Sequence, residues 1–281
     1  ILDPGDEVIV FAPYFGEYRS YAANFDASVV EVAPDYETFQ PDLEAFAQAV
    51  RVQTKAVIVN TPNNPTGVIY HEDTMRKIGE ILEVKEKEIG HEIYLISDEP
   101  YRELVYDGNK EDFLTKYYKN TLVGYSFSKS LSLPGERIGY VVVPDEADDA
   151  DLLIEGITVS NRTLGFVNAP SLMQKAVARC LDEKTNLAFY DENRKMLYEG
   201  LKALGFFCIK PEGAFYMWVK SPDKDEAKFV AAGKKYNIIM VKGSAFGCAG
   251  YVRLAYCVSH ETVKNSLKAF EKLAAEYHLH E

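Results

Sequence analysis

YSFSKSLSLPGERIGY, residues 125–140, is the stretch around which this chain is organised, and it carries one lysine, Lys129. An apolar run at 121–124 precedes it and predicts a buried strand, and a second apolar run follows at 138–143. Burying an ammonium group is costly unless it is paired or neutralised. Carbonyl chemistry uses such a lysine, because its amine forms a Schiff base. A lysine on a polar loop explains this stretch equally well, so the rest of the chain has to decide.

Composition and charge exclude several classes of protein. The chain has 281 residues, 47% of them apolar and 26% charged, as in ordinary soluble globular proteins. The net charge of −12 argues against nucleic acid and anionic membranes as partners, and we see no apolar run of membrane-spanning length. The cysteines and histidines show no metal-binding spacing, so we expect no metal site and reduced thiols in a cytoplasmic protein.

Short apolar strands alternate with helical patterns along the first half of the chain. A continuous apolar strand between helices is typical of a largely parallel sheet that helices cover on both faces. The sequence therefore predicts an α/β fold with a mostly parallel sheet. The predicted strands lie at 8–11, 28–33, 56–59, 93–96 and 121–124, with the run at 138–143 closing the series.

Polar residues follow three consecutive strands of this predicted sheet. Asn64 comes after one strand, Asp98 and Tyr101 after the next, and Ser126 and Lys129 after a third. Taken singly, these positions have ordinary explanations, as turn, helix cap or packing residues. Ligands of parallel sheets bind at the carboxyl ends of the strands. The three clusters together therefore predict a single site.

The pattern changes beyond residue 185. We predict a large domain at 1–185 and a smaller α+β domain at 186–281, with strands at 206–210, 215–219, 238–241 and 251–257. Arg253 lies between apolar neighbours in the last of these strands. Such an arginine either forms an ion pair on the sheet face or binds an anion.

The order and spacing of these motifs resemble the class I/II aminotransferases, which are fold-type I enzymes similar to aspartate aminotransferase. The matching motifs are Asn-Pro-Thr-Gly at 64–67, Asp-x-x-Tyr at 98–101, Ser-x-x-Lys at 126–129 with an arginine eight residues on, Pro-Glu-Gly-Ala-Phe-Tyr at 211–216, and the late arginine strand. The resemblance covers nearly the whole chain. It implies the cofactor pyridoxal 5′-phosphate.

The resemblance also implies roles at the reacting centre. Lys129 would be the Schiff-base lysine and the base that moves the substrate proton. Asp98 would pair with the protonated pyridine nitrogen of the cofactor. Asn64 and Tyr101 would hydrogen-bond its phenolic oxygen.

Further residues are implied to bind the cofactor and the substrate. Phe15 would stack on the cofactor ring, and Ser126 and Arg137 would bind its phosphate. Arg253, helped by Asn64, would bind the α-carboxylate of the substrate in a bidentate manner.

The implied activity is transamination between an L-amino acid and a 2-oxo acid, of the aspartate or aromatic type, in a homodimer. Another fold-type I enzyme, such as a carbon–sulfur β-lyase, and a binding protein or fragment without turnover remain open alternatives. Relatives place about 100 residues before the Pro-Gly-Asp-Glu-Val stretch, including a glycine-rich turn that holds the phosphate. From that departure we expect the sequence to lack an N-terminal part and to bind the cofactor weakly alone.

Overall fold

This computed structural model describes residues 1–279, and its N-terminal half forms a six-stranded sheet. The strands are β1 Glu7–Phe11, β2 Ser28–Val32, β3 Thr54–Asn60, β4 Tyr94–Asp98, β5 Thr121–Ser126 and β6 Gly139–Val142. Their spatial order is β2-β1-β3-β4-β5-β6. Neighbours among β1 to β5 run parallel, and β6 runs antiparallel to β5. The prediction of a mostly parallel sheet is confirmed.

Helices bury both faces of this sheet. They are α1 Glu17–Ala23 on one face, and α2 Leu43–Ala49 and α3 Glu72–Ile89 on the other. Successive strand residues point to opposite faces. In β3, Val57 and Val59 accordingly join the core that contains α2 and α3, whereas Ala56 and Ile58 join the core that contains α1. Because β1 and β3 are buried on both faces, these strands read as continuous apolar runs, whereas β6 at the edge of the sheet is exposed.

The C-terminal half forms a second, four-stranded antiparallel sheet from β7 Cys208–Ile209, β8 Tyr216–Lys220, β9 Val241–Lys242 and β10 Tyr251–Ala255, in the spatial order β7-β8-β10-β9. One face, with Met217 and Leu254, packs against helices, and the opposite face carries Tyr216 and Arg253. The remaining elements are the helices α4 Phe127–Ser130, α5 Ala150–Thr163, α6 Ser171–Val177, α7 Leu187–Ala203, α8 Glu226–Lys235 and α9 His260–Glu276.

Two strands of this sheet are shorter than predicted. The strand expected at 206–210 is only the two residues of β7, and the one expected at 238–241 begins at Val241. The backbone N–H of Ile238 donates to the carbonyl of Gly233, 3.0 Å away, and Asn237 has a left-handed conformation with φ of 60°. These residues close the C-terminal end of α8, so their backbone hydrogen bonds belong to the helix terminus and not to a strand. The prediction for 238–240 is therefore wrong.

The segment at 211–216 holds the two sheets together. The carbonyl of Gly67 accepts hydrogen bonds of 2.8 Å from the backbone N–H groups of Glu212 and Gly213. The backbone N–H of Tyr14 donates to the carbonyl of Phe246 at 3.0 Å.

The division into domains at 1–185 and 186–281 stays a prediction. Within residues 1–279, no helix is both long and apolar enough to cross a membrane.

Candidate active site

A cavity of about 800 Å³ opens at the carboxyl ends of β3, β4 and β5. The parallel register sets these ends side by side, because Asn60 pairs with Asp98 and Asp98 pairs with Gly124. The cavity brings together every residue that the sequence motifs indicate, from both halves of the chain. They are Phe15, Asn64, Asp98, Tyr101, Ser126, Lys129, Arg137 and Arg253. The roles of these residues stay predictions.

The turn after β3 holds Asn64 in a fixed position. Asn60 accepts a hydrogen bond from the backbone N–H of Asn64 at 2.8 Å, and its amide donates to the carbonyl of Asp98 at the same distance. The Asn64 side-chain oxygen accepts a 2.8 Å hydrogen bond from Arg253. Asn64 is buried, so this contact with the second sheet is shielded from water.

Asp98, at the end of β4, is a partly buried carboxylate that faces the cavity. Its side-chain partner is the hydroxyl of Tyr18 on α1, which donates to it. Burial raises the pKa of Asp98, while the hydrogen bond from Tyr18 acts in the opposite direction. Within residues 1–279 no cation forms an ion pair with this carboxylate. A partly buried carboxylate without a cationic partner is ready to pair with a cationic group of a ligand.

Aromatic rings surround the ammonium group of Lys129. Its Nζ lies 5.3 Å from the ring centre of Phe215 and 5.9 Å from that of Tyr101. Tyr101 is 4% exposed, and its hydroxyl lies 2.9 Å from that of Tyr216. Burial is the main reason why the pKa of Tyr101 is well above its usual value, so this hydroxyl keeps its proton at neutral pH.

Hydroxyl groups and an arginine lie where β5 ends. Ser126 caps α4, since its Oγ accepts from the backbone N–H of Ser128 at 3.1 Å, and it also donates to the Ser128 hydroxyl at 2.7 Å. Arg137 is exposed and donates to the carbonyl of Pro134 at 2.7 Å. Hydroxyl and guanidinium donors in one place suit a phosphate group.

Arg253 is supported on two sides by aromatic rings. Its guanidinium carbon lies 4.4 Å from the ring centre of Tyr216 and 4.8 Å from that of Phe246. These contacts and the hydrogen bond to Asn64 orient the guanidinium fork. An arginine between apolar neighbours thus faces the cavity without a carboxylate partner in the described part of the chain.

The cavity is locally cationic, although the protein carries a net charge of −12. Lys129, Arg137 and Arg253 line it, and none of them forms an ion pair with a carboxylate of residues 1–279. Asp98 is the one carboxylate among its described lining residues. Unpaired cations at a cleft attract anions. The cavity therefore suits a ligand that carries more than one negative group.

Sequence reasoning did not assign Tyr18, Asn60 or Tyr216 to the site. Tyr18 contacts Asp98, Asn60 fixes Asn64, and Tyr216 contacts both Tyr101 and Arg253. The Tyr216 signal was available, because this residue ends the Pro-Glu-Gly-Ala-Phe-Tyr motif. Tyr18 and Asn60 carry no comparable signal, since a tyrosine on a helix and an asparagine at a strand end are common packing and turn residues.

Comparisons with known proteins agree with this geometry. The family described as aminotransferase class I and II matches residues 1–270. The chain is 33% identical to an aspartate/prephenate aminotransferase of Thermus thermophilus, over 97% of this chain and 70% of that protein. An aspartate aminotransferase of Thermotoga maritima is 31% identical, with 96% of this chain and 70% of the relative covered.

Solved structures show the same similarity in three dimensions. The crystal structure of an aminotransferase from Eubacterium rectale superposes with a TM-score of 0.95 at 49% identity and covers 99% of this chain and 70% of its own. A mutant aspartate aminotransferase of Thermus thermophilus gives a TM-score of 0.86 at 32% identity, with 97% and 75% covered.

Proposed function

Because the chain belongs to the class I and II aminotransferases, enzymes that use pyridoxal 5′-phosphate, we propose that Lys129 is the lysine that reacts with this cofactor. The same proposal makes the substrates an L-amino acid and a 2-oxo acid of the aspartate or aromatic type. One observation carries it. Lys129, Asp98, Tyr101 and Arg253 come from different elements and meet in one cavity.

The chemistry of the donor set fits the cofactor. Asp98 lacks a cationic partner within the described chain, and a protonated pyridine nitrogen would supply one. Ser126 and Arg137 offer the hydroxyl and guanidinium donors that a phosphate needs. Asn64 and Tyr101 offer an amide and a hydroxyl to the phenolic oxygen, and the ring of Phe15 lines the same cavity.

When bound, pyridoxal phosphate supplies an electron sink that accepts the electron pair left when the α-proton of an amino acid is removed. Lys129, in its neutral amine form, would take this α-proton and later return it, because it is the lysine that lines the cavity in the described chain. The rings of Tyr101 and Phe215 hold the ammonium group between them. Asp98 would carry the negative charge next to the sink, because a protonated pyridine nitrogen would pair with its carboxylate and offset the effect of burial, which raises its pKa.

Arg253 binds the substrate carboxylate in this proposal. Its planar fork matches a carboxylate with two parallel hydrogen bonds. The contact with Asn64 and the stacking on Tyr216 hold the fork in position before the substrate arrives, which lowers the entropy cost of binding. Since Arg253 lies on the second sheet, a bound carboxylate would also tie the proposed domains 1–185 and 186–281 together.

The side chain of the substrate separates two versions of the proposal. Aspartate carries a second carboxylate and needs a cation besides the three that line the cavity. An aromatic side chain needs apolar walls, and the aromatic residues Tyr21 and Phe25 also line the cavity. The activity assay therefore includes both aspartate and an aromatic amino acid.

The proposed surroundings of the enzyme are a cytoplasmic location and a homodimer. Exposed apolar side chains support the dimer, because Tyr140 and Val141 on β6 and Leu152 on α5 are each at least 49% exposed. Burial of such side chains between two subunits would remove their apolar surface from water. Light scattering at several concentrations tests the dimer, and a monomer at all of them contradicts it.

Transfer of labelled nitrogen tests the activity. Aspartate or phenylalanine labelled with ¹⁵N is incubated with the protein, the cofactor and 2-oxoglutarate, and label in glutamate is measured. We expect transfer that is abolished in Lys129→Ala and retained in Lys242→Ala, which changes an exposed lysine outside the cavity. Release of ammonia and pyruvate from cysteine conjugates without transfer would instead identify a carbon–sulfur lyase. No turnover of either kind contradicts an enzyme.

A further inference from the structure

Tyr216 connects the two halves of the cavity. Its hydroxyl lies 2.9 Å from the hydroxyl of Tyr101, which follows β4 of the first sheet. Its ring supports the guanidinium of Arg253, which belongs to the second sheet. Both tyrosines are buried, with 7% of Tyr216 and 4% of Tyr101 exposed. The hydroxyl pair is therefore shielded from water.

The pairing of β8 with β10 gives Tyr216 this position. Tyr216 lies opposite Ala255, and Arg253 lies opposite Trp218, so Tyr216 and Arg253 are diagonal neighbours on one face of the antiparallel sheet. Diagonal neighbours are within reach when a side chain is long or aromatic. The next residue, Met217, points to the opposite face and into the core. The register of β8 with β10 therefore places Tyr216 on the face of the sheet that lines the cavity.

Either hydroxyl can be the donor in the hydrogen bond between the two tyrosines, and counting protons shows what each direction implies for a ligand. A tyrosine hydroxyl has one proton to donate and can also accept. Burial raises the pKa of both hydroxyls, so both protons are present at neutral pH. If Tyr101 donated to Tyr216, it would have no proton left for a ligand. If Tyr216 donates, the Tyr101 proton is available to the cavity.

We propose that Tyr216 is a positioning residue: its hydroxyl donates to Tyr101 and so directs the Tyr101 proton to the phenolic oxygen of the cofactor, while its ring supports Arg253. This inference rests on the proposed function, which gives Tyr101 that role. The two tasks belong to different atoms of Tyr216. Substitutions can therefore separate them.

Removal of the hydroxyl alone affects the cofactor and spares the substrate. In Tyr216→Phe the Tyr101 hydroxyl loses its donor, and Tyr101 becomes a weaker and less directed donor itself. Negative charge on the phenolic oxygen is then less stabilised. We expect the pKa read from the pH-dependent absorbance of the bound cofactor to rise by about 0.5 to 1 unit. KM for the amino acid stays within about twofold, since the ring under Arg253 remains.

Removal of the ring affects both tasks. In Tyr216→Leu the same absorbance shift is accompanied by a rise of about fivefold in KM, because the guanidinium loses its aromatic support. Tyr256→Phe is the matched control. It removes another buried hydroxyl, which donates to the carbonyl of Ala214 at 3.2 Å and does not line the cavity. We expect this control to titrate as the wild type does.

A double-substitution cycle tests whether Tyr216 acts through Tyr101. Absorbance is titrated in the wild type, Tyr216→Phe, Tyr101→Phe and the double variant, and folding of each is checked by Trp218 fluorescence. We expect Tyr216→Phe to cause no further shift once Tyr101 is phenylalanine. An unshifted Tyr216→Phe, or a full shift in the Tyr101→Phe background, would overturn the inference while leaving the proposed function intact. A wild type that binds no cofactor at Lys129 would overturn both.

Discussion

Arg253 shows at the scale of a single residue how a site is prepared for an anion. Its guanidinium makes one hydrogen bond to Asn64 and stacks on Tyr216 and Phe246, which leaves donors free to face the cavity. Lysine has the same charge but lacks the planar fork. The proposed binding of a carboxylate thus depends on the planar shape of the guanidinium as well as on its positive charge.

Arg253→Lys tests this point. Loss of a bidentate, charge-assisted interaction costs about 1.5 to 3 kcal/mol, so we expect KM for the amino acid to rise by about 10- to 100-fold with a smaller change in kcat. Steady-state kinetics at saturating cofactor measure both values. Arg51→Lys, which changes an exposed ion pair with Glu7, is the control and should leave KM unaltered. An unchanged KM in Arg253→Lys would contradict the carboxylate role.

The carboxyl group of Glu111 lies outside the proposed active site and gives a second prediction about a single residue. Burial raises its pKa from an ordinary 4.5 to about 8, and one of its oxygens has no hydrogen-bond partner among the described residues. Its other oxygen accepts a 3.3 Å hydrogen bond from Thr61. The folded protein therefore holds this proton at pH values where the unfolded chain has lost it.

The sign of the pH effect follows from linkage. Because the folded pKa is the higher one, the free energy of unfolding falls as pH rises from about 4.5 to about 8, by at most about 1.4 kcal/mol per unit. Glu111→Gln keeps a neutral group and should be more stable than the wild type at about pH 8 but not at about pH 5. Urea unfolding at both pH values measures this. Equal differences at the two values would rule out the raised pKa.

At the scale of elements, α3 shows how close packing overrides helix propensity. Gly79 lies buried in the middle of α3, and a Cβ there would come within 2.3 Å of the carbonyl oxygen of Tyr117. Alanine normally stabilises a helix relative to glycine by about 1 kcal/mol. Here the contact leaves no room for the methyl group.

Two glycine substitutions give opposite predictions. Gly79→Ala should lower the free energy of unfolding by about 1 to 3 kcal/mol, since the backbone of residue 117 has to move. Gly156→Ala on α5 should raise it by about 0.5 to 1 kcal/mol, because nothing lies within 4 Å of the added methyl group. Chemical denaturation of both variants checks the pair. Stabilisation by Gly79→Ala would show that α3 and residue 117 are farther apart than described.

Elements were the level at which sequence reasoning was most accurate. The continuous apolar runs predicted the parallel strands, because strands buried on both faces have that composition. The run at 238–240 failed, since Asn237 and Ile238 close α8 and Met240 packs into the core without extending a strand. Ile239 in the same run is 84% exposed, so a short apolar run indicates neither burial nor a strand by itself.

At the scale of the whole molecule, Arg194 connects the two halves of the chain. This buried residue of α7 donates to both carboxylate oxygens of Asp107, at 2.8 and 3.1 Å, and to the carbonyl of Pro211 at 2.6 Å. Asp191 is its second acidic partner. Asp107 lies in the loop after β4, so this ion pair spans the proposed domain boundary.

Asp107→Asn tests that connection. Arg194 keeps Asp191 but loses a bidentate partner, so we expect the free energy of unfolding to fall by about 1 to 3 kcal/mol. Asp73→Asn, at an exposed pair with Arg76, should change it by less than about 0.5 kcal/mol. Unfolding is followed by Trp218 fluorescence for the second sheet and by circular dichroism for the whole chain. Equal effects of the two substitutions would contradict the connecting role.

The site could be predicted from sequence only in part. Asn64, Asp98, Ser126 and Lys129 follow strands of one parallel sheet, so strand order alone predicts that they converge. Tyr18 could not be placed in this way, because it reaches Asp98 from α1 through packing between elements. Hydrogen bonds between elements distant in sequence leave no periodic signal.

Reductive trapping tests directly whether Lys129 is the lysine that reacts with the cofactor. The protein is mixed with pyridoxal phosphate and reduced with borohydride, and the added mass is located by peptide mapping, with Lys129→Ala and Lys242→Ala treated in parallel. We expect an adduct on Lys129 that persists in Lys242→Ala and disappears in Lys129→Ala. An adduct spread over surface lysines, with none enriched at Lys129, would contradict it.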